Sequence, residues 1–265
     1  MSGSARAAWP RRVAEEVAIV LLAAQFLTRL PVPGHVYRPE RMPLIPRQFP
    51  TVGILVGAIA GLVYAVTAPW YGPVLAALLS TTATVLITGA FHEDGLADTC
   101  DGLGGGHTRE QVLAIMRDSR LGTYGSLGLG LAIALKVATL SRLDPALVPW
   151  ALLAGHAASR AAAVTVLARA DYVRDEGSAK PVAQGIGRGG LSLALFIGTL
   201  ALLALGLASD VVTVVAGVGG IAIAYVISVH VIERRLGGYT GDTLGAVQQL
   251  TELGAYLGIA LLANA

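Results

Sequence analysis

Seven stretches of this chain are apolar for long enough to cross a lipid bilayer: 49–68, 73–91, 121–140, 146–168, 191–208, 211–232 and 243–262. A helical crossing takes about 20 residues, because the hydrocarbon core is about 30 Å thick and a helix rises about 1.5 Å per residue. Inside lipid the backbone must satisfy its own polar groups, which a helix does. The expected fold is therefore all-α, a polytopic transmembrane bundle of about seven spans forming one integral membrane domain over residues 1–265. Composition agrees. Of the 265 residues 54% are hydrophobic and only 14% charged, against about 25% charged in a soluble domain. The 33 glycines fall inside apolar stretches, where membrane helices tolerate them. Gly53, Gly57 and Gly61 recur at every fourth position of the first span, a pattern that lets a second backbone approach closely.

Ahead of these spans lies a shorter apolar run, 17–28, preceded by Glu15, Glu16 and the cations Arg6, Arg11 and Arg12. It is too short for a full crossing. Leu30-Pro31-Val32-Pro33 offers no small-residue cleavage site. The run is expected to be a retained interfacial or re-entrant helix.

The connections alternate in charge. Residues 69–72 and 209–210 carry no Lys or Arg, and 141–145 carries only Arg142. The other set is rich in cations: Arg29, Arg38, Arg41 and Arg47; Arg109, Arg117 and Arg120; Arg169, Arg174, Lys180 and Arg188; Arg234 and Arg235. The positive-inside rule assigns that set to the cytoplasm. Every conspicuous polar motif then falls on the cytoplasmic face, as suits an enzyme that takes soluble substrates from one side. A carrier would usually need polar groups along a path through the membrane. The net charge of +2 is too small to imply nucleic acid. The single cysteine, Cys100, excludes an intramolecular disulfide, and its acidic neighbours disfavour a thiolate. It reads as a small filler.

The most pointed motif is His92-Glu93-Asp94-Gly95-Leu96-Ala97-Asp98-Thr99-Cys100-Asp101. Asp94, Asp98 and Asp101 are spaced i, i+4, i+7, within an arc of about 60° on one helix face. Carboxylates so placed repel each other unless a cation sits among them. A hard divalent ion with oxygen ligands, Mg²⁺ before Ca²⁺, fits that spacing. The plainer alternative is a solvated acidic helix end. His92 reads as a general base, an outer-sphere group or an interface residue.

Gly102–Gly106 follow as either a phosphate-cradling loop or a linker, leading to a short helix over 108–116. In Met116-Arg117-Asp118-Ser119-Arg120, guanidinium forks suit phosphate oxygens. The alternative makes Arg117 and Arg120 topology anchors with Asp118 as a surface partner. Acidic and basic motifs on one membrane face describe a metal–diphosphate site. Within the fourth span lie His156 and Arg160. Arg160 is costly in lipid unless it lines a polar cavity. In Gly237-Gly238-Tyr239-Thr240-Gly241-Asp242, Asp242 can cap the final helix, whose N-terminus favours an anion. Glu252 is a further carboxylate at membrane depth.

Three ordered motifs, at 92–102, 116–122 and 237–245, resemble the cobalamin synthase family, the adenosylcobinamide-GDP ribazoletransferases. The likeness extends to length and hydrophobicity. Glu93 stands at a position that the pattern leaves variable. The resemblance implies transfer of α-ribazole, or its 5′-phosphate, onto adenosylcobinamide-GDP, with release of GMP and Mg²⁺ as cofactor. On that reading Asp94, Asp98, Asp101 and Asp242 hold metal, and His92 with the carboxylates serves catalysis. Arg117, Asp118, Arg120, Arg160, Thr240 and Asp242 contact substrate. The implied setting is a bacterial inner membrane, with lipid as surroundings and a homo-oligomer compatible with the sequence. Two other classes share features. CDP-alcohol phosphotransferases contain a similar Asp-Gly-x-x-Ala fragment, but usually place Arg where this chain has Asp98. An ion-coupled transporter would use His156, Arg160 and Glu252 as its pathway.

Overall fold

In the computed structural model, which describes residues 3–174, 180–183 and 186–262, the chain is helical almost throughout. A long first helix, α1 (Gly3–Leu27), leads through two 3₁₀ segments, Gly34–Val36 and Pro39–Gln48, into α2 (Phe49–Thr88). Then come α3 (Phe91–Gly105), the short α4 (Arg109–Ile115), α5 (Thr123–Leu140), α6 (Val148–Arg169), α7 (Arg188–Ala208), α8 (Val211–Leu236) and α9 (Gly241–Leu262). Among the described residues the only β pairing is an isolated parallel bridge between Tyr172 and Tyr239.

The first two expected spans form the two arms of α2, which turns back at Gly72 with φ 74° and ψ 169°. That backbone conformation is open essentially to glycine alone. Pro69 and Pro73 flank the turn. The arms pack against each other, with Ser80 Oγ donating to the Ala60 carbonyl (2.8 Å). Among the described residues five helices are long and apolar enough to cross a membrane: the one through α2, then α5, α6, α7 and α8. They differ in position. The α6 window is 78% buried, whereas that of α8 is 11% buried and turns its valines and isoleucines outward.

The seventh expected stretch forms α9 but does not meet the same measure of apolarity. Its Gln248, Gln249, Thr251 and Glu252 are buried, in contact with α3, α5, α6 and α8. It is the polar axis of the bundle. Polar side chains at membrane depth are expected to face the bundle interior.

The N-terminal segment is longer than the run at 17–28 suggested. Helix α1 begins at Gly3, and Ile19, Leu22, Ala23 and Leu27 are buried in the core. Glu15, read from sequence as the hydrophilic boundary, accepts two hydrogen bonds from Arg41, Nε to Oε1 and Nη2 to Oε2, both 2.7 Å. Arg47 pairs with Glu16 at 2.7 Å. These pairs pin α1 to the second 3₁₀ segment. Gly102–Gly105, weighed as a loop, complete α3 instead. A Cβ at Gly102 would strike Met116, and one at Gly104 would strike Tyr124.

The glycine repeat of the first span does what its spacing predicts. A Cβ at Gly57 would lie 2.7 Å from the Leu152 carbonyl and the Leu153 Cα, and one at Gly61 3.0 Å from the Pro149 Cα. The obstacles are α6 backbone, which no side-chain rotation can clear. Gly57→Leu is therefore expected to cost at least about 1–3 kcal/mol as an overpacked contact. A clear drop in the thermal midpoint of detergent-solubilised protein would report it. Gly130→Ala, with nothing within 4 Å of the added Cβ, serves as the control and should unfold as the parent does.

Candidate active site

Helices α3 and α9 cross where both are bare. A Cβ at Gly95 would lie 2.7 Å from the Asp242 carbonyl, and one at Gly245 3.1 Å from that of His92. This approach brings the N-terminus of α9 onto the acidic face of α3. Asp94 is exposed and Asp98 half-buried, and neither side chain has a hydrogen-bond or ion-pair partner among the described residues. Burial pushes the Asp98 carboxyl up to about 6, with Asp242 and Asp94 adding to the rise and Arg174 opposing it. Burial also raises Asp242, against the pull of Arg174. Arg174 Nη2 lies 2.6 Å from Asp242 Oδ2 as an ion pair across the seam.

Asp101 has a different task. Its Oδ2 accepts from the Gly122 N–H and its Oδ1 from the Gly125 N–H, both at 2.8 Å. It thus caps α5 from a neighbouring helix, and a Cβ on either glycine would collide with it. The spacing that groups Asp101 with Asp94 and Asp98 is real, but both Asp101 oxygens already serve backbone donors.

Thr240 rather than Asp242 caps α9. The Thr243 N–H donates to Thr240 Oγ1 (3.2 Å), and the Thr240 N–H donates to Thr243 Oγ1 (2.8 Å). The expectation that Asp242 caps this helix is corrected, because the reciprocal threonine pair occupies the position. Asp242, freed of capping, faces Arg174. Arg174 is delivered by the segment 171–174, whose Val173 N–H donates to the Tyr239 carbonyl (3.0 Å) while the Tyr239 N–H donates to that of Asp171 (2.9 Å). Tyr172 packs edge-on against Tyr239. Tyr172 also lies within the electrostatic reach of Arg174, Asp242 and Arg117.

The arginines of the second motif divide. Arg117 is exposed and has no hydrogen-bond or ion-pair partner among the described residues. Arg120 is spent on Asp118: its Nε lies 3.0 Å from both carboxylate oxygens and its Nη2 2.5 Å from Oδ2. That bond holds Asp118 down to about 2.

His92 and Arg160 belong to another place. His92 is buried on the opposite side of α3 from Asp94. It lines a slot with Phe26, Phe49, Phe91 and Arg160. The polar cavity expected around Arg160 is thus mostly apolar. Deeper still, Glu252 meets Lys136 Nζ at 2.8 Å and His156 Nδ1 at 3.0 Å, and accepts from Gln248 Nε2 at 2.7 Å. Gln249 links this centre to the acidic helix, accepting from Lys136 Nζ (3.1 Å) and donating to Glu93 Oε1 (3.1 Å). His156 and Glu252 therefore close on one another rather than mark out a channel.

Among the described residues no group of three or more His, Cys, Asp or Glu side chains is placed to hold a metal ion. The donor set still suits Mg²⁺, which usually keeps several waters and binds one or two carboxylates together with substrate phosphates. Asp94 and Asp98 are such carboxylates, a helical turn apart and unpaired, with Asp242 across the seam. Uncompensated charge of this kind marks a functional site more often than a structural one.

A family model described as cobalamin-5-phosphate synthase matches residues 19–260. The chain belongs to the cobalamin-5-phosphate synthase family. A relative from Leptothrix cholodnii, named adenosylcobinamide-GDP ribazoletransferase, is 46% identical, covering 92% of this chain and 95% of its own. Relatives of the same name from Shewanella pealeana and Shewanella halifaxensis are 43% and 42% identical, over 92% and 94% of this chain and 95% and 96% of theirs. No solved structure matches. The three motifs that carried the resemblance lie inside the matched region, and the chain is a transferase of cobalamin biosynthesis with membrane-spanning helices.

Two residues of this cobalamin-5-phosphate synthase homologue escaped the sequence reading. Lys136 sits in the middle of an apolar span, and the reasoning applied to Glu252 would have flagged it. Arg174 left no local signal, since only the pairing of 171–173 with Tyr239 brings it to Asp242.

Proposed function

We propose that the α3–α9 seam is where α-ribazole, or its 5′-phosphate, is joined to adenosylcobinamide-GDP with release of GMP. The observation that carries the reading is the pair of partnerless carboxylates, Asp94 and Asp98, facing Asp242 across a glycine-lined crossing. The ribazole 3′-hydroxyl attacks the phosphorus that stays with cobinamide. An O–P bond forms, the bond from that phosphorus to the GMP oxygen breaks, and the hydroxyl proton passes to a carboxylate of the cluster. Mg²⁺ held by Asp94 and Asp98 together with the substrate phosphates would offset the charge that gathers on the departing nucleotide. Arg117, free of partners, holds non-bridging oxygens, while Arg174 keeps Asp242 aimed at the seam. Asp101 fixes the entry of α5, and with it the arginine motif, against α3. Thr240 fixes the first turn of α9. The cation-rich connections argue that this face looks into the cytoplasm across a bacterial inner membrane.

The test is turnover of adenosylcobinamide-GDP with α-ribazole by protein in lipid nanodiscs, with and without Mg²⁺, following GMP. GMP release that depends on both substrates and on the metal supports the reading, and its absence overturns it. The two arginines give a sharper contrast. Arg117→Ala should lower kcat/KM at least about tenfold, the effect of losing a charge-assisted contact. Arg120→Ala, which removes only an exposed pair with Asp118, should lower it less than threefold, roughly the worth of a surface ion pair. Equal kinetics for the two variants would make both arginines topology anchors.

A further inference from the structure

We propose that the slot beside the acidic seam receives the planar heterocyclic base of the nucleoside acceptor, with Arg160 donating to a ring nitrogen. The inference rests on the proposed transfer for the identity of that nucleoside. The slot lies between α1, α2, α3, α6 and α9. Its walls are Phe26, Phe49, Phe91, Leu27, Leu167 and Leu244. Phe26 and Phe49 lie parallel with centroids 5.9 Å apart, and Phe91 stands edge-on to Phe26 at 5.5 Å. Such walls favour the faces and edges of a flat ring.

The polar lining is limited to His92, Arg160 and Gln248. The Gln248 amide nitrogen is already used by Ser159 and Glu252. Arg160 is 2% exposed, and among the described residues its only hydrogen bonds run from Nη1 to His156 on its own helix. No carboxylate of the described residues lies within ion-pair distance of it. Its Nε is buried without a partner. A buried donor left unpaired forfeits its hydration with nothing in return, and a ligand that supplies an acceptor recovers that loss. A benzimidazole-type base offers one lone-pair nitrogen and an otherwise apolar outline, as the lining requires. A phosphate would set most of its oxygens against phenyl and leucyl carbons, where they would go unsolvated.

Position agrees with chemistry. Gly241 and Gly245 form one wall, and Asp242 lies between them in sequence. The first turn of α9 is thus shared between this slot and the seam.

The probe is free benzimidazole, titrated by calorimetry or saturation-transfer NMR into protein in nanodiscs without metal. Saturable binding that inorganic phosphate does not displace is expected. Filling the slot through Ala163→Leu, or more gently through Leu244→Phe, should weaken it at least tenfold. The same variants should raise KM for α-ribazole at least tenfold and leave KM for adenosylcobinamide-GDP unchanged. Thermal midpoints serve as the folding check, and a filled variant that does not fold is replaced by the other. Absent binding to the parent, equal binding to a correctly folded filled variant, or displacement by phosphate overturns the proposal. The two readings fail separately. Benzimidazole binding without GMP release sinks the transfer alone. GMP release with an unaltered ribazole KM in the filled variants sinks the slot alone.

Discussion

Asp98→Asn is expected to abolish at least about 99% of turnover, a loss of about 2.7 kcal/mol or more of transition-state stabilisation. The fold should survive, because Asp98 carries no hydrogen bond that Asn would break. It should even gain. Burial and the neighbours Asp242 and Asp94 raise the Asp98 carboxyl to about 6. Its ionised form therefore weighs against the folded state above that pH, and the penalty fades as the pH falls toward the ordinary value near 3.8. At pH 7.5 the variant should unfold no earlier than the parent. The same sign governs the metal. Proton and cation compete for one carboxylate, so the Mg²⁺ needed for half-maximal turnover should climb as the pH is lowered from 8 toward 6. Wild-type turnover and an unchanged Mg²⁺ titration in Asp98→Asn would remove the metal assignment.

Glu252→Ala should have the largest effect on stability. Glu252 is fully buried and meets Lys136, His156, Gln248 and Tyr256. Removing the carboxylate leaves the Lys136 ammonium buried and unpaired. Breaking such a pair from one side costs about 3–5 kcal/mol. The expected result is a protein that extracts poorly and aggregates on heating at temperatures the parent withstands. The double variant Lys136→Met with Glu252→Leu removes both charges at similar volume and should regain most of the loss, because replacing a buried pair by apolar groups is often neutral. Equal instability of single and double variants would show that the hydrogen bonds from Gln248 and Tyr256, not the charges, carry the centre.

The spans were legible because apolar length is a one-dimensional property. The runs at 146–168 and 211–232 became α6 and α8 with ends displaced by only a few residues. The acidic helix was legible for a similar reason: Asp94 and Asp98 lie a turn apart whatever surrounds them. Partners are another matter. Asp101 shares the spacing, yet nothing local says that its oxygens would be taken by Gly122 and Gly125, which follow it by 21 and 24 residues. Asp242 looked like a cap because Asp often is one. Thr240 and Thr243 capture the position through two reciprocal bonds that only the folded turn reveals. His92 and Asp94 are two residues apart and face opposite sides of α3, one buried in the slot and one exposed at the seam, so one motif serves two places. Arg174 reaches the seam solely through long-range backbone pairing.

The placement of α9 constrains how the molecule can be made. It is the last described helix to leave the ribosome and the one around which α3, α5, α6 and α8 are arranged. Until it arrives, Lys136 and His156 have no counter-charge, and the earlier helices form an open basket around a missing stave. Membrane insertion and tertiary closure are thus separated in time, and quality-control proteases have their opening in that interval.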